Sequence, residues 1–563
     1  MKKKNFILAV LIGFALLQNQ ELLAQTTTKT VITPEKLLYH PIQLNAADKT
    51  IIPWYSPDLG KSFDFVINAT WKFWNTMRMD KNGLPYYMNH QVWRGDFNDR
   101  RGVGGDQFSM ALSSFNLLYG YTGDEAVKEE MKFIADYYLT HSLSPANAKW
   151  PNIPYPYNAL VYSGIYDGDM VIGPGFTQPD KAGSFGLELV KLHKMTSTFP
   201  WPNITEKRYL EAATDIANTL VLHLQGGDND NSPLPFKVNA ITGEIGKLQH
   251  NSGNNETTQQ SSYSSNWAPT LELLLHLIDL KAGDTQSYQK AFETILAWMK
   301  NYPLKTNKWG PFFEDIPGWS DTQINAITFA QFIMNHPQYF PNWKTEVQGI
   351  FDWVYQKLGN KEWEKYGVIV VNEQTAYQTP GNSHSSRQAS AELQFSALSG
   401  ANTSVNNAIR QLSWATYMVG NDGKNCYPRD EVWMTDGYGD YIRHFLRSMA
   451  YHPELAPARQ NHLLNSTSII QLMEYPGSVN KFLEPVVPTN LLKDVIINYR
   501  TFDKKGEEII RLTQKPVTIL LNNNNIPESS NREIDSWSWK PLSNGGILTV
   551  VRVSGNLITV LAK

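Results

Sequence analysis

The sequence predicts a mainly α-helical protein: an (α/α)6 toroid of six helical hairpins, followed by a small antiparallel β-sandwich-like domain. Three observations predict it. Between Lys61 and Pro453, about a dozen segments with helical apolar spacing alternate with polar loops. That number makes six pairs, enough to close a ring, and no internal repeat is strong enough for an open solenoid. After about residue 455 the pattern changes to short β-branched runs bounded by turn residues.

The chain begins MKKKNFILAVLIGFALLQNQELLAQ, three lysines and an apolar run ending in a small residue before Gln25. This reads as a secretory signal peptide over 1–24, implying export, with a periplasmic location ahead of full secretion. The run is roughly a dozen residues, too short to span a bilayer. Residues 25–60 form a lead segment. Helices of an outer type are expected at 61–78, 125–141, 206–225, 286–301, 342–358 and 404–418. Between them fall inner-type helices at 106–120, 184–197, 266–281, 321–335, 385–399 and 438–451. The inner set is read as apolar nearly all round, the outer set as charged on one face. Turns such as YTGDE (Tyr121 to Glu125) and KAGDT (Lys281 to Thr285) join a glycine stop to an aspartate cap. The helical domain is therefore bounded at 61–454 and the β domain at 455–563. In the latter, DVIINYRTFD, EEIIRLTQ, PVTILLNN, GILTVVRV and NLITVLAK read as strands, and NNNNIPESSN as a polar connecting loop.

Composition narrows the function. Formal charge is −3; the three lysines and one glutamate before Gln25 carry +2, which leaves −5 for the remainder. Such a chain lacks the positive surface that nucleic acid requires. Its one cysteine, Cys426, excludes an internal disulfide framework and a cysteine-based metal site. Aromatic residues are abundant, and some stand in polar loops such as WPNIPYPYN (Trp150 to Asn158), where they suit stacking on sugar faces. No HExxH, GxSxG or P-loop pattern occurs. Asp167 and Asp169 resemble only a fragment of a calcium loop, so neither cofactor nor metal is expected.

In a toroid of regular hairpins the inner helices all start at one end, so their first turns meet around one cleft. Those segments are FNDRRGVGGDQF, PDKAGSFG, SSYSSNWAP, DIPGWSDTQIN, GNSHSSRQAS and TDGYGDYIRH. They are polar, glycine-rich beginnings, and polar side chains that become buried there need partners. Arg100, Glu314, Asp315, Asp321, Gln323 and Asp436 belong to this set. Taken singly, Asp106, Asp321 and Asp436 are ordinary helix caps. Six separate caps would not, however, need Tyr, His and Arg beside the acids. The candidate catalytic residues are His384, Tyr441, Tyr438, Asp440 and Asp106. Arg101, Gln107, Trp267, Arg387, Arg443 and His444 are the candidate substrate-binding residues.

A helical toroid with a following β module resembles the (α/α)6 carbohydrate-active enzymes of polysaccharide-degrading bacteria, among them polysaccharide lyases, unsaturated uronyl hydrolases and related glycosidases. The resemblance is one of architecture, and no family motif carries residue roles across. It implies an acidic oligosaccharide as substrate; the oligomeric state stays open. Two reactions compete on chemical grounds. In β-elimination on a uronic acid, a Tyr or His removes the weakly acidic C5 proton while Arg neutralises the carboxylate. His384, Arg387, Tyr438, Tyr441 and Arg443 supply that set, for a lyase or a dehydratase. In glycoside hydrolysis two carboxylates act, with Asp106 and Asp440 the leading pair and Glu314 or Asp315 next. A non-catalytic glycan-binding protein is the third reading, and elimination is preferred.

Overall fold

The computed structural model describes residues 29–76, 105–155, 175–197, 207–248, 258–312, 318–426, 435–475 and 494–562, with the side chains of 105–108 and 435–439 excluded. Six helices form an outer set: α1 (Leu59–Asn75), α3 (Glu125–His141), α5 (Lys207–Leu222), α7 (Thr285–Asn301), α9 (Trp343–Leu358) and α11 (Val405–Thr416). Six alternate with them as an inner set: α2 (Gly105–Thr122), α4 (Pro179–Thr196), α6 (Ala268–Asp279), α8 (Gln323–Asn335), α10 (Asn382–Ser399) and α12 (Thr435–Tyr451). Each inner helix packs against the next, and α12 packs back against α2, so the contacts run around a closed circuit. Each outer helix covers an inner one, α1 lying on α12.

Local chemistry accounts for the helix ends. Asp58, Asp124 and Asp284 each stand at an N-cap and accept a first-turn amide, at 3.1, 3.0 and 3.2 Å. Gly123 and Gly283, with φ of +65° and +69°, take the left-handed turns just before two of these caps. The α4 helix begins at Pro179, well before the expected start, because proline at N1 has no amide to satisfy. Asp321 is not a helix cap: its Oδ1 accepts the Trp309 and Gly310 amides at 2.8 Å each, holding the preceding loop.

One reading of the sequence needs correction. The inner helices are not apolar all round. Residues 382–396 of α10 are all buried, yet they include four serines from 383 to 390, His384, Arg387, Gln388 and Glu392. Hydrogen bonds between helices make this tolerable. Gln394 Nε2 donates to Asn335 Oδ1 at 2.7 Å, and Tyr355 Oη to Glu392 Oε1 at 2.6 Å. The lead segment also has structure of its own: β1 (Thr30–Leu37), β2 (His40–Asn45) and β3 (Ile51–Ile52) form an antiparallel sheet. It docks on the end of α11 through Tyr417, which donates to the Ile52 carbonyl and accepts the Gln43 amide, both at 2.8 Å.

Beyond α12 lie two antiparallel sheets. Their strands are β4 (His462–Ser466), β5 (Ile470–Glu474), β6 (Val495–Thr501), β7 (Gly506–Leu512), β8 (Thr518–Leu521), β9 (Asn524–Asn525), β10 (Ser536–Pro541), β11 (Gly546–Arg552) and β12 (Leu557–Leu561). One sheet has the order β9-β8-β12-β6-β5 and the other β10-β11-β7-β4. Alternate residues such as Ile497, Tyr499, Ile510 and Leu512 are buried in a common core. Within it, Arg552 meets both oxygens of Glu508 at 2.7 and 2.8 Å, and Tyr499 donates to the same carboxylate at 3.2 Å. The β4–β5 edge seats against the C-terminal ends of inner helices. There Lys128 Nζ donates to the Gln471 carbonyl and Gln471 Nε2 to the Lys194 carbonyl, both at 2.8 Å.

Burial holds the Glu392 carboxyl up to about 7, from an ordinary 4.5. Between those values the folded chain keeps a proton that the unfolded chain has released, so this group lowers stability as pH rises through the window. Glu392→Gln should therefore raise the melting temperature at pH 8, by up to about 3 kcal/mol of stability. The gain should shrink towards zero at pH 4.5, and a pH-independent difference in thermal melts would contradict this.

Candidate functional site

The first turns of α8, α10 and α12 are tied together by one polar cluster. In α12, Asp440, Arg443 and His444 stand at i, i+3 and i+4, a spacing that sets three side chains on one helical face. Asp440 Oδ1 pairs with Arg443 Nη2 and lies 3.1 Å from His444 Nε2. Asp440 Oδ2 pairs with Nη2 of Arg387, which projects from α10. Nη1 of Arg387 donates at 2.7 Å to Oε1 of Gln323 in α8, and Gln323 Nε2 donates to the His384 carbonyl at 3.2 Å. Asp440, Arg387 and Gln323 are all at most 3 % exposed. A carboxylate held by two guanidiniums is a strong charge-assisted arrangement.

Two imidazoles sit within this cluster. Burial, then the charges of Arg387 and His444, push His384 well below the ordinary 6.5. His444 is pushed the same way by burial and by Arg387, Arg443 and Arg447. Both rings are thus neutral at neutral pH, the form that accepts a proton. Gly381 makes room for this: a Cβ there would collide with Nδ1 of His384.

Of the expected residues, His384, Arg387, Asp440, Arg443 and His444 come together. Tyr441 and Trp267 do not join them. Tyr441 is fully buried, turned one residue around α12, and donates its hydroxyl to the Ala415 carbonyl of α11 at 2.8 Å. Trp267 is fully buried ahead of α6, its Nε1 donating to the Ser264 carbonyl at 2.6 Å. Both large side chains gain more from packing between helices than from a polar cleft. Cys426 is likewise buried, with its sulfur 3.9 Å from Tyr39 Oη. Asp106, Gln107, Asp436 and Tyr438 lie in the first turns of α2 and α12, with side chains outside the described set. Arg100, Arg101, Asp167, Asp169, Glu314 and Asp315 are outside the described residues altogether. Among the described residues no group of three His, Cys, Asp or Glu could hold a metal ion, and no helix is long and apolar enough to cross a membrane.

Below the cluster lies a cavity of about 590 Å³ to which all six inner helices contribute, for instance through Ser113, Glu188, Glu272, Gln331, Arg387 and Arg447. Along α4 its lining runs from Lys181 to Lys191, about 15 Å of helix. Leu464 to Thr467, at the end of β4, line its far end. The mid-helix members, Glu188, Lys191, Gln331 and Arg447, were not anticipated. Their signal was present in the sequence: charges at i and i+3 or i+4 inside otherwise apolar helices, as in LELVKL and RHFLR.

No protein family matches the sequence, and no curated protein matches it. Several solved structures are similar in shape. D-mannose isomerase aligns at 10% identity with a TM-score of 0.50, over 70% of this chain and 99% of its own. Cellobiose 2-epimerase from Bacillus thermoamylovorans aligns at 13% identity and 0.49, over 69% and 98%. A family 76 glycoside hydrolase from a bovine Bacteroides thetaiotaomicron strain aligns at 12% and 0.45, over 74% and 84%. The first of these, an (α/α)6-toroid carbohydrate-active enzyme, shares its fold with this chain, so the resemblance expected from the sequence holds at the level of fold.

Removing one partner from a buried ion cluster leaves uncompensated charge. Asp440→Asn should therefore cost roughly 3–5 kcal/mol in urea unfolding. Pairing Asp440→Leu with Arg387→Met should cost less than the two single changes added together. Strict additivity in that double-mutant cycle would show that the ion pair contributes nothing specific.

Proposed function

We propose that this chain is an exported (α/α)6-toroid enzyme that acts on uronate-containing oligosaccharides by β-elimination, yielding a 4,5-unsaturated uronic end. Its helical region, 61–454, would carry the reaction, with 455–563 buttressing the ring. The observation that carries the reading is the pairing of neutral His384 and His444 with the guanidiniums of Arg387 and Arg443 at adjoining helix starts.

In the proposed reaction, Arg443 binds the substrate carboxylate and favours the charge that develops beside C5. His384 takes the C5 proton as general base; the C5–H pair becomes the C4–C5 double bond, and the C4–O4 bond breaks. Tyr438 returns a proton to the departing oxygen, which is a sugar hydroxyl in a lyase and water in a dehydratase. Tyr441 is assigned to packing, since its hydroxyl already serves Ala415. Hydrolysis by paired carboxylates is less well supported, because Asp440 is engaged by two guanidiniums and the side chain of Asp106, its leading partner, lies outside the described set.

Incubation with a panel of uronate oligosaccharides, followed by ultraviolet absorbance and mass spectrometry, tests this. Elimination predicts an absorbing product, formed either by cleavage without added water or by loss of one water without cleavage. A gain of one water on cleavage would mean hydrolysis. Unchanged mass with deuterium uptake from heavy water would mean the same base works as an isomerase. His384→Gln should lower kcat on the order of 10²-fold or more with a small change in KM. The acid limb of the wild-type pH profile should lie below 6.5, the ordinary value from which burial displaces His384.

A further inference from the structure

Among the described residues, most charges that line the axial cavity are held in ion pairs and one guanidinium is not. Lys181 Nζ pairs with Asp180 at 2.9 Å and Lys191 with Glu188 at 2.7 Å, while Glu272 meets His336 at 2.7 Å. Arg387 and Arg443 share the single carboxylate of Asp440. Arg447, one helical turn beyond Arg443 on the same face of α12, has no ion-pair partner among the described residues. Among the described residues it makes one hydrogen bond, from Nη1 to Gln331 Oε1 at 3.4 Å. Nε of Arg443 has no hydrogen-bond partner among the described residues either, and what exposure Arg443 keeps, 12 % of its side chain, lies on the cavity wall. Glu188 is the nearby acid: its charge favours the charged forms of both Arg443 and Arg447, its Oε1 is engaged with Lys191, and its Oε2 has no hydrogen-bond partner among the described residues.

Arg447 thus relies on a carboxylate that it shares with Arg443 and Lys191, and a buried guanidinium so incompletely paired favours a further anion. Deprotonation does not relieve it: burial and the neighbouring Arg443 bring Arg447 down only to about 9, so it stays charged at neutral pH. Two arginines at i and i+4 on one wall, facing Gln331 across the cavity, present several N–H donors to a planar or tetrahedral oxyanion. A volume of about 590 Å³ also falls within the range of small-molecule sites.

We propose that the cavity inside the helical ring is an oxyanion site, in which Arg447 and Arg443 bind a carboxylate or an inorganic oxyanion. The site shares Arg443 with the reaction proposed above and extends that reading to Arg447 and the cavity, though anion binding there requires no turnover. Two sources of ligand share this chemistry, the carboxylate of a uronate and free phosphate.

Thermal melts and calorimetric titrations of the full protein with sodium D-glucuronate, inorganic phosphate and neutral D-glucose, all at one ionic strength, test it. Binding of either anion but not of glucose is expected, with affinity reduced on the order of tenfold or more in Arg447→Gln. Arg447→Lys, which keeps the charge but loses the fork, should fall between the two. The exposed Arg532→Gln should bind as the wild type does. Glucuronate binding without phosphate binding assigns the site to substrate; equal binding of both assigns it to a free oxyanion. The proposal falls if neither anion binds the wild-type protein, or if Arg447→Gln binds both unchanged. Should Arg447→Gln fail to fold, the wild-type titration and Arg447→Lys decide the matter. Elimination without anion binding would remove this site and leave the reaction; anion binding without turnover would do the reverse.

Discussion

The ion pair between Asp440 and Arg387 is the contact on which the candidate site depends. It joins the starts of two neighbouring inner helices where both groups are nearly excluded from water. Each charge is tolerable there only because the other is present, so neither helix start can shift alone. Gln323 extends the constraint to a third inner helix, and Arg443 and His444 crowd the same carboxylate from within α12. The two imidazoles are kept neutral first by burial and then by the guanidiniums close by, which oppose a further positive charge.

The ring and the β module do different work around one axis. Inner-helix starts gather the titratable groups at one end. At the other end the β4–β5 edge is fastened by Lys128 and Gln471, and its residues line the base of the axial cavity. The cavity wall mixes apolar side chains such as Leu117, Phe312 and Leu446 with charged and amide groups. Gln, Asn and Ser groups bridge the helices there, as Gln394 does to Asn335. Such a wall is adapted to a polar occupant more than to hydrophobic packing.

Much of the fold was legible because its signals are local. The period of the apolar residues located the twelve helices, and the GD pairs at 123–124 and 283–284 marked where one helix stops and the next begins. The sheet at 30–52 was missed because its pairing depends on docking against Tyr417, far along the chain. The polarity of α10 was visible in its letters, but its full burial was not. Burial depends on neighbours that come from α8, α9, α11 and α12. In the site, the direction of a side chain around its helix was the main loss: Tyr441 is adjacent to Asp440 in sequence yet faces the outer helix.

By itself the sequence determined the helical hairpins, the change to strands after residue 455 and the set of polar helix starts from which a site could be built. These follow from propensity, periodicity and capping, which act over a few residues. Only the tertiary structure decided which members of that set meet. It placed Arg387 on Asp440, Trp267 in the core, and Arg447 on a cavity wall with no ion-pair partner among the described residues. Those outcomes depend on helix rotation and on Coulomb interactions between residues far apart in the chain, and a local pattern contains neither.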